Sequence, residues 1–177
     1  MSRFILYRPT PEDVAEAYAR SQRLGVLPNS FTRGKGRMAG FLGEVAFERT
    51  FGGDYVGDES RTHDYEIKAS SIDVKAKICS TVPQMTYCVS VPAQRLKPLQ
   101  ADVYFFTRVL NDYSKVWLLG WATAKSVQQD KFYKKKGEAD DYGFTFLSSG
   151  YHLPINRTRR PDSFTNYLDK QSGRRSG

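Results

Sequence analysis

Charged and apolar residues alternate without exception along residues 72–78, IDVKAKI. Such alternation is typical of a β-strand with one buried face, because successive side chains point to opposite sides of a strand. The apolar side chains would then face the core, and Asp73, Lys75 and Lys77 would project together from the other face. A carboxylate beside two ammonium groups is a combination that could bind a metal ion and a phosphate ester.

The segment just upstream carries two further acids, Asp64 and Glu66, in a second short strand pattern. Residues 68–71 make a connection of hairpin length, so the two strands are predicted to pair antiparallel. A register with Glu66 opposite Asp73 collects every charged side chain on one face. In that register Asp64 lies opposite Lys75 and diagonal to Asp73, about 7–8 Å from it at the backbone. The alternative is a solvated sheet face with cross-strand ion pairs, which contribute little to stability.

A third carboxylate, Glu44, falls within residues 36–51, whose apolar spacing predicts a helix. Two glycines inside this helix, Gly40 and Gly43, each cost about 1 kcal/mol relative to alanine. That cost is expected where a helix must approach another element or a ligand closely. The helix around Glu44 is therefore predicted to lie close to a neighbouring element or a ligand.

The order of these elements resembles the PD-(D/E)XK nuclease superfamily: a helix with Glu44, a strand with Asp64, and a strand with Asp73-x-Lys75. The resemblance implies an α/β (α+β) fold with a restriction-endonuclease-like core, in which helices flank a mixed central sheet. The core of the superfamily is a helix, a three-stranded hairpin sheet, a second helix and a further strand. One position departs from the pattern, because His63 stands where the superfamily has proline before the first aspartate.

The same resemblance implies a metal-dependent DNA endonuclease that hydrolyses phosphodiester bonds. In such an enzyme Asp64 and Asp73 would hold Mg²⁺ or Mn²⁺, and Glu44 would complete or border the site. Lys75 would orient or deprotonate the attacking water, or stabilise the developing charge, and the sequence leaves these roles open. Glu66 points to the same face and could bind a second ion.

The chain has 177 residues, and we expect residues 1–170 to form one domain. The resemblance covers about residues 37–123. Within that core the patterns predict a strand at 86–91, a second helix at 92–99 and a central strand at 102–110. Outside the core the sequence predicts a helix at 10–24, an extension at 124–170 and a disordered basic tail at 171–177.

The composition is basic, with 27 Lys and Arg against 19 Asp and Glu and a formal net charge of +8. This excess favours a polyanionic partner, here double-stranded or branched DNA held through its phosphates. Scattered solubilising charge is the alternative. Cutting both strands of a duplex would favour a homo-oligomer. The basic residues predicted to contact DNA, with the two on the first helix expected to face solvent, are Lys77, Arg33, Lys35, Arg37, Arg20 and Arg23.

A second hypothesis is a catalytically inactive nuclease-fold protein that binds nucleic acid or serves in assembly. The intact set of Asp64, Asp73 and Lys75 argues against it, since an adaptor does not need like charges side by side. One further residue, His152 in the extension, could act as an accessory acid or base, although a lone histidine more often has a structural role.

No apolar run approaches the roughly 18 residues needed to span a bilayer, and the first residues lack a signal-peptide pattern. We therefore expect a cytoplasmic protein without a membrane partner. The strand at 116–123 ends in Gly-Trp-Ala-Thr, which resembles the equivalent strand of small bacteriophage and mobile-element nucleases of the superfamily. A phage-encoded protein would act in the host cytoplasm.

Overall fold

The structure, a computed structural model, describes residues 2–23 and 35–175. Four α-helices and nine strands, with three single turns of 3₁₀ helix, make up this part of the chain. In chain order the strands and α-helices are β1 (Ile5–Tyr7), α1 (Pro11–Arg23), α2 (Lys35–Phe51), β2 (Asp54–Tyr55), β3 (Tyr65–Ile67), β4 (Ser70–Cys79), β5 (Cys88–Pro92), β6 (Val103–Leu110), β7 (Val116–Thr123), α3 (Ala124–Val127), β8 (Tyr133–Lys134), β9 (Gly150–Pro154) and α4 (Phe164–Arg175).

The larger of two sheets has six strands in the order β1-β7-β6-β4-β3-β2. Its strands pair antiparallel except β4 and β6, which run parallel, so the sheet is mixed. The smaller sheet has the order β5-β9-β8 and is antiparallel. The predicted α/β (α+β) class and the mixed central sheet are confirmed.

The strand β4 buries the face that its sequence pattern predicts. Ile72 and Val74 belong to a hydrophobic cluster that also contains Tyr65 and the buried side of α2. Asp73 and Lys75 alternate with them and are half-buried on the other side of the strand. Burial of the apolar set therefore determines which face presents the charged groups.

A glycine allows α2 to lie directly on the sheet. A Cβ atom added at Gly43 would stand 2.5 Å from Thr107 Oγ1 and 2.8 Å from the Ala76 Cβ, which is closer than real contacts allow. The predicted close approach is thus confirmed at Gly43, the residue next to Glu44. At Gly40 an added Cβ would meet nothing within 4 Å, so close packing does not explain that glycine.

The helix α1 begins as its sequence predicts. Thr10 Oγ1 accepts a hydrogen bond from the Asp13 backbone N–H at 3.2 Å, and Asp13 Oδ2 accepts one from the Thr10 N–H at 2.9 Å. This reciprocal cap satisfies two N–H groups that a helix start otherwise leaves without partners. The helix is described as far as Arg23, so residue 24 of the predicted range lies outside the described residues.

The segment after β4 departs from the predicted core. The strand predicted at 86–91 exists as β5, but it pairs with β9 in the smaller sheet. The second helix predicted at 92–99 is absent; this exposed segment consists of turns, and Leu96 has a left-handed φ of +73°. A short helix is marginal in water without a buried face, and Pro98 would interrupt it.

The C-terminal segment is more ordered than predicted. The helix α4 extends to Arg175, so the tail expected to be disordered from residue 171 is helical that far, and residues 176 and 177 lie outside the described residues. Phe164 and Leu168 bury one side of α4 in the core, and adding residues to an existing helix costs little. None of the helices in the described ranges is both long and apolar enough to cross a bilayer.

Candidate active site

The hairpin that carries the predicted site closes with a two-residue turn. Lys68 and Ala69 have φ values of +48° and +61°. Positive φ at both central residues is the pattern of a type I′ turn, whose twist suits antiparallel strands. Glu66 therefore lies opposite Ser71, and the predicted pairing of Glu66 with Asp73 is wrong by two residues. Because side chains alternate with a period of two, this displacement leaves every residue on its predicted face.

Asp64 lies just before β3, where the pairing of the two strands ends. The last paired residue of β4 on this side is Ile72. Beyond it, the backbone N–H of Val74 donates to Asp64 Oδ2 at 2.7 Å. Val74 stands between Asp73 and Lys75, so this hydrogen bond holds the Asp64 carboxylate beside the two residues of the motif.

Asp73 interacts with charged groups on both sides. Its Oδ2 accepts from Lys75 Nζ at 2.8 Å, and its negative charge acts on the neighbouring carboxyl group of Asp64. Burial first, and the negative charge of Asp73 second, raise the pKa of Asp64 to about 7, against the opposing effects of the Val74 N–H and Lys75. The two carboxylates are close enough to be mutually unfavourable when both are charged.

Glu44 brings a third carboxylate from α2. Its side chain is 12% exposed, and Oε2 has no hydrogen-bond partner, with Arg20 Nη1 4.0 Å away. Burial, followed by the charge of Asp64, raises the pKa of Glu44, and Arg20 acts in the opposite direction. Asp73 also contributes to this rise. The three predicted carboxylates therefore act on one another, as the sequence-based hypothesis requires.

Arg20 is buried, so the prediction that it faces solvent to contact DNA is wrong. Its guanidinium donates to Glu16 at 2.9 Å, to the Tyr65 hydroxyl at 3.0 Å and to Glu48 at 2.7 Å. The Tyr65 hydroxyl is also 3.0 Å from the Glu44 carbonyl oxygen. These contacts join α1, α2 and β3 behind the site. The i, i+4 spacing of Glu16 and Arg20 is the one sequence signal that could have indicated this role.

Glu66 and Lys77 lie on the predicted face, and each contacts a residue other than the three carboxylates. Glu66 is exposed, and its Oε1 lies 3.3 Å from His63 Nε2. Its predicted role as a ligand of a second ion stays a prediction. Lys77 Nζ donates to Ser90 Oγ at 3.1 Å, which turns this side chain toward the smaller sheet.

Three of the other predicted DNA contacts lie on α1 and α2. Arg23 is exposed and pairs with Asp58 at 2.7 Å. Arg37, near the start of α2, donates to a backbone carbonyl of α1 at 3.5 Å. Lys35 is the first residue of α2, and its side chain lies outside what the structure describes, as does the whole of Arg33. Contact with DNA stays a prediction for these four residues.

The carboxylates of the site offer oxygen atoms of the kind that a divalent ion prefers. Within residues 2–23 and 35–175 no group of three or more His, Cys, Asp or Glu side chains is arranged to hold a metal ion. However, Mg²⁺ usually keeps several waters and takes only one or two carboxylates from the protein. The neighbouring carboxyl groups of Asp64 and Asp73, together with the partnerless Glu44 Oε2, supply oxygen donors and negative charge of this kind.

Comparison with known proteins adds no relative. No protein-family model matches the chain, and neither does any curated protein sequence. The likeness to the PD-(D/E)XK superfamily therefore remains a resemblance carried by four residues and the order of the elements that bear them. What the protein does has to be argued from the chemistry of its site.

Proposed function

We propose that this protein is a metal-dependent DNA endonuclease that hydrolyses phosphodiester bonds. The observation that carries the proposal is the 2.7 Å hydrogen bond from the Val74 N–H to Asp64. It brings a carboxylate from the preceding segment beside Asp73, whose own carboxylate is 2.8 Å from the ammonium of Lys75. A merely solvated charged face would not bury and cluster like charges in this way.

Asp64 and Asp73, with Glu44 at the border, would hold Mg²⁺ or Mn²⁺. When bound, such an ion supplies a water of lowered pKa and neutralises charge on the phosphoryl group. In the reaction the water oxygen forms a bond to phosphorus and one bridging P–O ester bond breaks. The departing oxygen takes up a proton, and the water gives one to solvent, so the products are a phosphate monoester and an alcohol.

Lys75 contributes as a hydrogen-bond donor. Its ammonium donates to Asp73 at 2.8 Å, so it fits a role in orienting the water or stabilising negative charge on the phosphoryl oxygens better than a role as proton acceptor. The neighbouring Asp73 holds the lysine chain beside the carboxylates. Among the roles left open by the sequence, this geometry favours donation.

We also propose that α2, β2, β3, β4 and β6 form a restriction-endonuclease-like core. The succession of helix, antiparallel hairpin and parallel strand supports this, although the second core helix is missing. The basic composition supports DNA as partner. Duplex cutting would call for a homo-oligomer, and such an enzyme would act in the cytoplasm, that of the host if a phage encodes it.

The second candidate function is a catalytically inactive nucleic-acid-binding or assembly protein. One observation favours it: Lys75 already neutralises Asp73, and no group of three ligands is formed among the described residues. Such a protein would bind DNA equally well with and without divalent ions. The active enzyme should show metal-dependent cutting and metal-dependent stability.

The deciding experiment is a cleavage assay on supercoiled, linear, single-stranded and four-way-junction DNA with Mg²⁺ or Mn²⁺. EDTA and the variants Asp73→Asn and Lys75→Ala should abolish cutting. Lys170→Ala, which changes an exposed lysine on α4, is the matched control and should cut normally. Binding without cutting on every substrate would support the inactive adaptor instead.

A further inference from the structure

A cleft between the two sheets opens beside the proposed active site. One part, of about 220 Å³, starts at Lys75, and a second part, of about 510 Å³, continues toward Tyr87 and Tyr142. The cleft thus begins beside the carboxylates and leads away from them along the charged face of β4. Six residues line both parts: Lys77, Ser90, Arg108, Phe144, Phe146 and His152.

The floor of the cleft carries two cations. Lys77 and Arg108 are partners across β4 and β6, and Arg108 donates to the Cys88 carbonyl at 2.7 Å. Burial lowers the pKa of both groups, and the charge of Arg108 lowers that of Lys77 further. No described carboxylate forms an ion pair with either of them. Two adjacent cations without an acidic partner, of which Arg108 is half-buried and Lys77 is exposed, favour an anionic ligand.

Ser90 and His152 hold the lysine in position. Lys77 Nζ donates to Ser90 Oγ at 3.1 Å, and Ser90 Oγ lies 2.7 Å from His152 Nδ1. The ammonium can only donate, so Ser90 Oγ accepts from Lys77, while the direction of its hydrogen bond with His152 Nδ1 follows the tautomer of the imidazole. His152 is buried, and its Nε2 has no hydrogen-bond partner although the Ser148 carbonyl is near enough to affect its pKa. His152 is therefore a positioning residue for the cation.

The rim of the cleft is aromatic. Tyr142 is 89% exposed and Phe144 is 53% exposed, and the Phe144 ring packs edge-on against Phe146 at 5.6 Å between centroids. Asp140, the one acid among the described lining residues, accepts hydrogen bonds from the Tyr142 and Phe144 backbone N–H groups at 2.9 and 2.8 Å. Its charge is thus used to shape the aromatic loop. Exposed rings above a cationic floor are a common way to stack bases of a single strand.

We propose that this cleft binds an unpaired nucleotide of a DNA strand, with the phosphate on Lys77 and Arg108 and the base against Phe144 and Tyr142. A base in a closed duplex has both faces stacked on its neighbours and cannot reach such a rim without leaving the helix. A phosphate alone would leave the aromatic side chains without a role. This inference rests on the proposed nuclease function and narrows its substrate class to DNA with a single-stranded part beside the cut.

The test is binding of fluorescent oligonucleotides to the full chain in EDTA, where no cutting occurs. Wild type should bind a short single strand more tightly than a blunt duplex of the same sequence. Phe144→Ala should weaken single-strand binding about tenfold, the size of one lost stacking contact. Tyr18→Ala, which removes a ring that is 59% exposed on α1, is the matched control and should bind as wild type does.

Lys77→Ala provides a second measurement. It should make single-strand binding less sensitive to salt, by the amount expected when roughly one phosphate contact is lost. Unchanged single-strand affinity in Phe144→Ala, or a wild-type preference for the blunt duplex, would overturn the inference. Because Phe144 is half exposed, its removal is compatible with folding, which a thermal melt of the variant checks.

Cleavage separates this inference from the proposed function. If the protein cuts DNA and Phe144→Ala loses only the preference for substrates with unpaired nucleotides, both stand. If no substrate is cut while single-strand binding still depends on Phe144, the cleft stands and the nuclease fails. If cutting occurs, and Phe144→Ala changes neither the preference for substrates with unpaired nucleotides nor the affinity for a single strand, the nuclease stands and the cleft assignment fails.

Discussion

The carboxylate of Asp64 accepts a hydrogen bond of 2.7 Å from the backbone N–H of Val74. An unpaired N–H at a strand edge needs an acceptor, and here that acceptor is a residue of the candidate site. The position of Asp64 is therefore set by the backbone of β4, the same strand that carries Asp73 and Lys75.

Replacing Asp64 by asparagine should stabilise the protein in EDTA at pH 8, and it should abolish cleavage when Mg²⁺ is present. Asparagine keeps an acceptor for the Val74 N–H and removes one of two neighbouring carboxylates. We expect a gain of about 1–3 kcal/mol in the free energy of unfolding, measured in urea. Asp64→Ala, which also removes the acceptor, is the contrast and should not show this gain. Equal stability of wild type and Asp64→Asn would argue that the two acids do not repel each other.

Divalent ions should stabilise the wild type against heat. An ion that binds only the folded state adds about 2.7 kcal/mol at a concentration one hundred times its dissociation constant. The increase in Tm with Mg²⁺ should be smaller in Asp73→Asn and in Glu44→Gln, because each removes a proposed ligand. A Tm that responds to Mg²⁺ equally in all three proteins would place the ion elsewhere.

Arg20→Ala should destabilise the protein by about 3–5 kcal/mol, because it leaves the buried Glu44 without its cation and the half-buried Glu48 with Arg49 alone, at 3.5 Å. The arginine is 4% exposed and lies 2.7 Å from Glu48. Arg23→Ala, three residues on, breaks an exposed pair with Asp58 and should cost less than about 1 kcal/mol. Urea unfolding of both variants provides the comparison, and similar losses in the two would contradict the buried role of Arg20.

Gly43→Ala should destabilise the protein by about 1–3 kcal/mol and reduce cleavage, since the new methyl group pushes α2 and the adjacent Glu44 away from the sheet. The clash is with Thr107 Oγ1, 2.5 Å from the added atom. Gly40→Ala on the same helix meets nothing within 4 Å and should stabilise by up to about 1 kcal/mol. Opposite signs in thermal melts of the two variants are the expected result.

The contribution of His152 to stability should fall as pH drops below 6.5, whereas the raised pKa values of Asp64 and Glu44 act in the opposite direction. Burial, then the charge of Lys77, lowers the pKa of His152 from 6.5, while the Ser148 carbonyl opposes this and Lys134 adds to it. A histidine with a lowered folded-state pKa favours the folded protein above pH 6.5 and loses that contribution as pH falls through the folded value. Urea titrations should therefore show that the stability of the wild type relative to His152→Gln decreases as pH falls over this range. A stability difference that does not change with pH would assign the acid sensitivity to other groups.

Local patterns in the sequence were sufficient to predict several parts of the molecule. The alternation along residues 72–78 assigned Ile72 and Val74 to the core and Asp73 and Lys75 to the opposite face, because strand periodicity is a property of the backbone. The start of α1 was predictable for the same reason, since Thr10 and its neighbours supply the cap within one turn.

Tertiary structure alone decided which elements meet. The register of the hairpin depends on a turn at Lys68 and Ala69, which lacks the glycine or asparagine that would have indicated it. The strand at 86–91 was predictable, but its partner β9 lies more than fifty residues away in sequence. Arg20 is buried because α2 and β3 offer it acids and a hydroxyl group. Spacing along the chain thus determines the face on which a side chain lies. The elements that a strand or helix packs against are selected by long-range packing, and alternative packings differ in free energy by only a few kcal/mol.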